Sequence, residues 1–344
     1  MQEGHKVSKG LWYTLGFSII SFYFIFQVVA KISFKQSFIG IHWVYIGLGF
    51  ISLFLMWLAK ALRMYSIGRG MGLHIRFLFF LQLYLATCFI SHVTPFNSGG
   101  TPLQIYILHK KGISIGEATA LTVVDLGLNT LMFFILIPLA LWIGLHSFHR
   151  NHFLQFYQLL LRILFILAGF LIVWILLRYT RFWFKLIKSS LVAKLLTFVR
   201  HKGWIQHFRH EWERFKEGWL TLLHHNPKSL LIAVTATVFY WFFYLLLAPL
   251  IFWAMGRMIS FFQLIGWQLL FNFAQVFIPT PGGSGGSELI LVYIFKNIIG
   301  PARVGTFVLL WKIYTFFSTL VVGSFFFWKL TKKVSRSNKQ KDYL

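Results

Sequence analysis

The 344-residue chain contains one cysteine, Cys88. A single thiol can close no internal disulfide and build no thiolate metal cluster, so Cys88 reads as a packing residue. Acidic side chains are almost as scarce: eight Asp and Glu stand against 33 Lys and Arg, a formal net charge of +25. Charged residues of either sign reach only 12%, whereas 58% of side chains are hydrophobic, 20% are aromatic and the mean hydropathy is +0.70. That balance excludes a soluble globular domain and describes an all-α polytopic membrane protein. In a soluble chain such a basic excess would point to nucleic acid. Here it sits in the connections between apolar runs, where it sets topology and meets anionic lipid, so no nucleic-acid partner is expected.

Eight apolar runs follow one another near 11–30, 41–62, 74–93, 116–145, 154–177, 229–255, 260–278 and 301–328. Each is close to or above the roughly 20 residues that a spanning helix needs. The first is as long as a span and has no small-x-small cleavage site before Lys31, so it is expected to be retained. Two polar, glycine-rich segments interrupt this apolar background: Thr94-Pro-Phe-Asn-Ser-Gly-Gly-Thr101 and Thr280-Pro-Gly-Gly-Ser-Gly-Gly-Ser287. Both follow the pattern T-P-x-x-S-G-G-[ST]. Irregular backbone at membrane depth survives only when buried in protein or lining a wet cavity, so the repeated pair predicts a transport site made from two broken helices.

Basic residues decide whether these segments turn back or cross. If both turn back, Lys and Arg divide 14 inside to 17 outside. If both cross, 25 lie inside and 6 outside, with Arg162 and Lys312 within spans. The positive-inside rule therefore favours eight full spans plus two crossing half-helix segments, with both termini cytoplasmic. Five traversals then separate equivalent points of the two halves, which predicts inverted repeats at about 41–145 and 229–328. Between them, 178–228 reads as a basic amphipathic cytoplasmic segment suited to the inner leaflet, or as a topology-setting loop.

The flanks of the two motifs match. Each opens a short helix and closes at a glycine, Gly112 or Gly300. Thr101 before Pro102 reads as a helix cap, and Ser287 before Glu288 is its counterpart. Opposed half-helix N-termini present free N–H groups to an anion. Thr94, Pro95, Ser98, Gly99, Gly100, Thr101 and Gln104 line the site from one side, and Thr280, Pro281, Ser284, Gly285, Gly286, Ser287 and Glu288 from the other. Close helix packing, with the hydroxyls bonding local backbone, is the alternative reading of the same residues. His92, Asn272 and Gln275 add polar groups nearby.

Three carboxylates fall in the transport region. Glu117 begins a span and reads as an N-terminal helix charge. Asp125 lies deeper, and its approximate counterpart in the second half is Lys312, so an Asp125–Lys312 pair across the repeat interface is one expectation. Glu288 can contact a cationic headgroup, carry a coupling proton or cap its helix. His146, His149 and His152 share one loop but have no Cys, Asp or Glu beside them, so no metal is expected. No cofactor motif stands out, since Gly283-Ser-Gly285 lacks the strand that a dinucleotide loop follows.

Taken together, Thr94-Pro-Phe-Asn-Ser-Gly-Gly, Pro102-Leu-Gln-Ile-Tyr106, Lys111-Gly-Ile, Asp125 and Pro281-Gly-Gly-Ser-Gly-Gly-Ser-Glu288 resemble the flippase-like family named for the lysylphosphatidylglycerol synthase transmembrane region, over roughly 10–330. The resemblance implies a lipid translocase of the prokaryotic cytoplasmic membrane, with membrane lipids as partners and no catalytic residues. Two-part members carry a soluble aminoacyl transferase after the membrane part; this sequence ends in the basic tail Lys329–Leu344, so lysyl-lipid synthesis is not expected of it. A membrane-embedded headgroup or glycosyl transferase and an ion-coupled carrier of small anions are the alternatives.

Overall fold

The computed structural model describes residues 40–147 and 202–341, and every regular element among them is helical. In chain order these are α1 (Trp43–Gly70), α2 (Phe77–Val93), α3 (Gly100–Lys110), α4 (Ile115–Ser147), α5 (Lys202–Leu220), α6 (Pro227–Ala254), α7 (Phe261–Gln275), α8 (Gly286–Ile299), α9 (Pro301–Lys312) and α10 (Ser318–Lys341). α9 runs into α10 through a wider π-helical turn, Ile313–Phe317.

Among the described residues, four helices are long and apolar enough to cross a membrane: α1, α4 as far as Pro138, α6, and the stretch Arg303–Lys332 formed by α9 and α10. α2 is a shorter apolar helix of 17 residues. The run expected at 260–278 forms the 15-residue α7, which at 1.5 Å per residue reaches about 22 Å, short of a full crossing. The expected spans at 11–30 and 154–177 lie outside the described residues.

In hydrocarbon, apolar side chains gain little by leaving lipid, so helices associate through close packing and interhelical hydrogen bonds. The central pair α1–α6 shows both. Ala59 and Ala61 on α1 and Ala233 and Ala236 on α6 are buried, which lets the helices approach. Ser52 Oγ donates to Phe243 O at 2.8 Å, Ser66 Oγ to Ser229 O at 2.7 Å, and Asn226 Nδ2 to Gly70 O at 3.1 Å. α2 lies against α10, while α4 packs against α7 and α5.

The described part of the basic segment is folded onto the bundle. At the start of α4, Ser114 and Glu117 form a reciprocal capping box, as Glu117's position led one to expect. The Glu211 carboxylate of α5 accepts the Gly116 N–H at 2.5 Å, adding a negative charge where the helix dipole favours one. A Cβ at Gly116 would collide with the backbone of α5, lying 2.9 Å from Phe215 N. Phe215 faces the core, and Trp212 and Trp219 are exposed. This helix is therefore a docked element with its own contacts, beyond a connecting loop.

Candidate functional site

Each glycine-rich segment begins with an extended Thr before Pro, the conformation that a following proline imposes. Then come two left-handed residues. In the second segment these are Gly282 (φ 60°) and Gly283 (φ 66°), whose lack of a Cβ permits them; in the first they are Phe96 and Asn97, both at φ 53°. The same backbone turn is thus built twice from different residues. The two segments diverge at their serines, Ser98 being helical (ψ −20°) and Ser284 extended (ψ 137°).

The turns pack against one another. Gly282 is closely enclosed: a Cβ there would lie 2.5 Å from the Phe316 ring and 2.9 Å from His92 O. The pair is nevertheless asymmetric. Gly282, Gly283, Ser284, Ser287 and Glu288 are buried, whereas Pro95, Phe96, Asn97, Ser98, Thr101 and Pro102 are exposed.

In the first segment, local bonding occupies much of the polar material. Thr94 Oγ1 donates to Ile90 O and accepts the Gly99 N–H, both at 2.9 Å, and Ser98 Oγ donates to Pro95 O at 2.9 Å. A Cβ at Gly100 would meet Ser91 Oγ and Thr87 O of α2, so this glycine serves close approach of α3 to α2. Gln104 is buried and donates to Thr122 Oγ1 on α4 at 3.1 Å. The helices open two residues earlier than the sequence pattern predicts. Gly99 and Gly285 stand at the caps, and Thr101 and Ser287 fall inside the first turn, with no side-chain cap bond at either end. Their far ends are where the sequence placed them, at Gly112 and Gly300.

The second segment carries the charge. Glu288, in the first turn of α8, is fully buried and faces Lys312 Nζ at 3.1 Å; Lys312 is 3% exposed. Ser287 Oγ donates to Glu288 Oε2 at 2.8 Å, and the Lys312 ammonium lies 4.9 Å from the Phe316 ring centroid. Thr280 Oγ1 is buried with no hydrogen-bond partner among the described residues. Around them, His92 Nε2 is 2.8 Å from Thr319 Oγ1, Tyr244 donates to Asn272 Oδ1 at 2.5 Å, and Gln275 lies beside Gly283.

Lys312 therefore does not pair with Asp125, as the repeat comparison had allowed. Asp125 is held by Lys60 Nζ at 2.6 Å and by Arg63 Nε at 2.7 Å. The count of basic residues by side includes both cations among the 25 inside, at the end of the 41–62 run. α1 in fact runs unbroken to Gly70, and it carries Lys60 and Arg63 into the interior, 12% and 0% exposed. Their spacing of three on a continuous helix, with no glycine or proline stop before Gly68, was the available signal. Arg63 also lies over the Tyr240 ring, and Lys60 over Tyr84.

The π-turn that follows Lys312 in the chain forms one wall of an apolar groove of about 520 Å³. Phe50, Phe54 and Trp57 of α1 face Ile313, Phe317 and Val321 across it. Trp57 Nε1 is buried there without a partner among the described residues.

Long apolar helices, interrupted by polar turns that pack together beside buried charges, define an integral membrane protein of the helical class. The chain belongs to the lysylphosphatidylglycerol synthase transmembrane-region family, whose model matches residues 11–323. It is similar to a UPF0104 membrane protein of Archaeoglobus fulgidus, 24% identical over 287 residues, which span 82% of this chain and 85% of that one. No solved structure matches it.

Proposed function

We propose that this protein translocates a phospholipid or lipid-linked headgroup between the leaflets of a prokaryotic cytoplasmic membrane, holding the lipid phosphate at the two packed turns. The observation that carries the reading is the buried Glu288–Lys312 pair at the mouth of α8, where the second turn meets the first. A lysine ammonium, the amide hydrogens of a helix N-terminus and the Thr280 hydroxyl are donors suited to phosphate oxygens. Intramembrane charges are costly to keep and mark transport paths. The groove lined from Ile313 onward favours a lipid over a small soluble anion, because it offers an acyl chain an apolar wall.

In this reading the full topology is eight spans plus two crossing half-helix segments, arranged as inverted repeats at about 41–145 and 229–328. Both termini and the 178–228 segment face the cytoplasm. Rocking of one repeat against the other would expose the site alternately. Membrane lipids are the partners, and neither a cofactor nor a metal is invoked.

The test is purified protein in liposomes carrying a fluorescent phosphatidylglycerol, with dithionite quenching to report the outer leaflet. Accelerated exchange of chemically unchanged lipid is the expected result. Recovery of a modified lipid indicates a transferase, and uptake of soluble phosphate without lipid exchange indicates an anion carrier; either outcome overturns the proposal.

A further inference from the structure

We infer that Glu288 and the anionic group of the ligand compete for Lys312, so that each phosphodiester held at the turns brings one proton onto Glu288. This rests on the phosphate-binding reading above and adds its coupling ion. Glu288 Oε2 is engaged by Ser287, and Oε1 has only its ion pair with Lys312. One cation therefore balances one carboxylate in a fully buried setting.

Of the other titratable groups on the surrounding elements, His92 on α2 is near enough to Lys312 to interact with its charge, with its Nε2 facing Thr319 Oγ1 and its ring the Phe316 ring. Tyr244 on α6 is directed to Asn272 and Tyr314 in the π-turn to Ile46 O. Asp125, Lys60 and Arg63 form a separate group. Among the described residues, no ion pair links Asp125, Lys60 or Arg63 to Glu288.

A phosphodiester monoanion that reaches Lys312 leaves two negative charges facing one positive charge, out of water. An uncompensated buried charge is strongly unfavourable, and a like charge nearby favours the protonated carboxyl. Uptake of a proton from water by Glu288 restores neutrality. The site passes from carboxylate and ammonium to carboxylic acid, ammonium and phosphodiester, with net charge zero in both. On release the proton returns to water and the carboxylate to Lys312. Only an O–H bond forms and breaks, and nothing is oxidised. The π-turn directly after Lys312 is a place where the helix can shift register as the pair opens. Because the coupling is reciprocal, protons strengthen binding wherever the site is open, and a pH difference across the membrane gives translocation a direction.

The test is isothermal titration of the purified full chain in buffers of different ionisation enthalpy. The probes are dioctanoyl phosphatidylglycerol and dimethyl phosphate, both single-charge phosphodiesters, which separate a lipid source from a soluble one. The wild type is expected to take up about one proton per ligand, with affinity falling about tenfold per pH unit once the free site is ionised. Glu288→Gln is expected to bind with no uptake and no pH dependence. Should that variant fail to fold, infrared difference spectra of the wild type are expected to gain a protonated-carboxyl band on ligand addition. Wild-type binding without proton uptake, an unchanged infrared spectrum, or uptake that persists in Glu288→Gln overturns the coupling while leaving the phosphate site standing. Absence of binding by both probes overturns that site and the coupling with it.

Discussion

Gly282 and Phe96 occupy the same left-handed position in two copies of one turn, yet their substitutions should have opposite effects. Gly282→Ala places a methyl group against the Phe316 ring and His92 O and strains the backbone, so a loss of about 2–4 kcal/mol is expected. Phe96 is 61% exposed, and Phe96→Gly removes conformational strain of about 1 kcal/mol with little packing to lose. Thermal unfolding in detergent should show the first variant clearly lowered and the second equal to or above the wild type. Asp125→Asn leaves Lys60 and Arg63 buried around a neutral amide and should cost about 3–5 kcal/mol by the same measurement. The turn residues themselves were legible in the sequence, because Thr-Pro and paired glycines have few other uses inside apolar runs. The partners of Asp125 were not: a lysine and an arginine at the end of an apolar run look like topology signals until the helix is seen to continue.

At the scale of elements, the ends of α3 and α8 were readable at Gly112 and Gly300, since a left-handed residue terminates a helix locally. Their starts lie two positions earlier than Thr101 and Ser287 suggest, because Gly99 and Gly285 stand at the caps instead. The docking of α5 on α4 was hidden for a different reason. Amphipathic spacing identifies an apolar face but not the surface that covers it. The contact depends on a backbone approach at Gly116, which no sequence pattern announces. Gly116→Val should push α5 off α4 and break the bond to Glu211. Hydrogen exchange is expected to accelerate in α5 and the first turn of α4 while α1 and α6 stay protected; unchanged exchange would mean that the close approach does not hold α5.

For the whole molecule, composition alone separated a membrane protein from every soluble class, since there are too few charges to cover a water-facing surface. In the proposed crossing topology the charge asymmetry survives the placement of Lys60 and Arg63 in the interior, since 23 of the 25 Lys and Arg remain inside against 6 outside. The proposed inverted arrangement makes a topological prediction about two exposed lysines near the ends of the half-helices. With Cys88 replaced by Ala, Lys111→Cys is expected to react with impermeant maleimide only from the cytoplasmic side, and Lys296→Cys only from the opposite side. Labelling of both from one side would contradict the inversion.

The most direct measurement removes the buried pair without leaving an orphan charge. Glu288→Gln with Lys312→Met keeps the interior neutral and should preserve insertion and monodispersity. In liposomes loaded with fluorescent phosphatidylglycerol, leaflet exchange by this double variant is expected to be at least about tenfold slower than by the wild type, the loss of one charge-assisted phosphate contact. Exchange at the wild-type rate by the folded double variant would contradict the account.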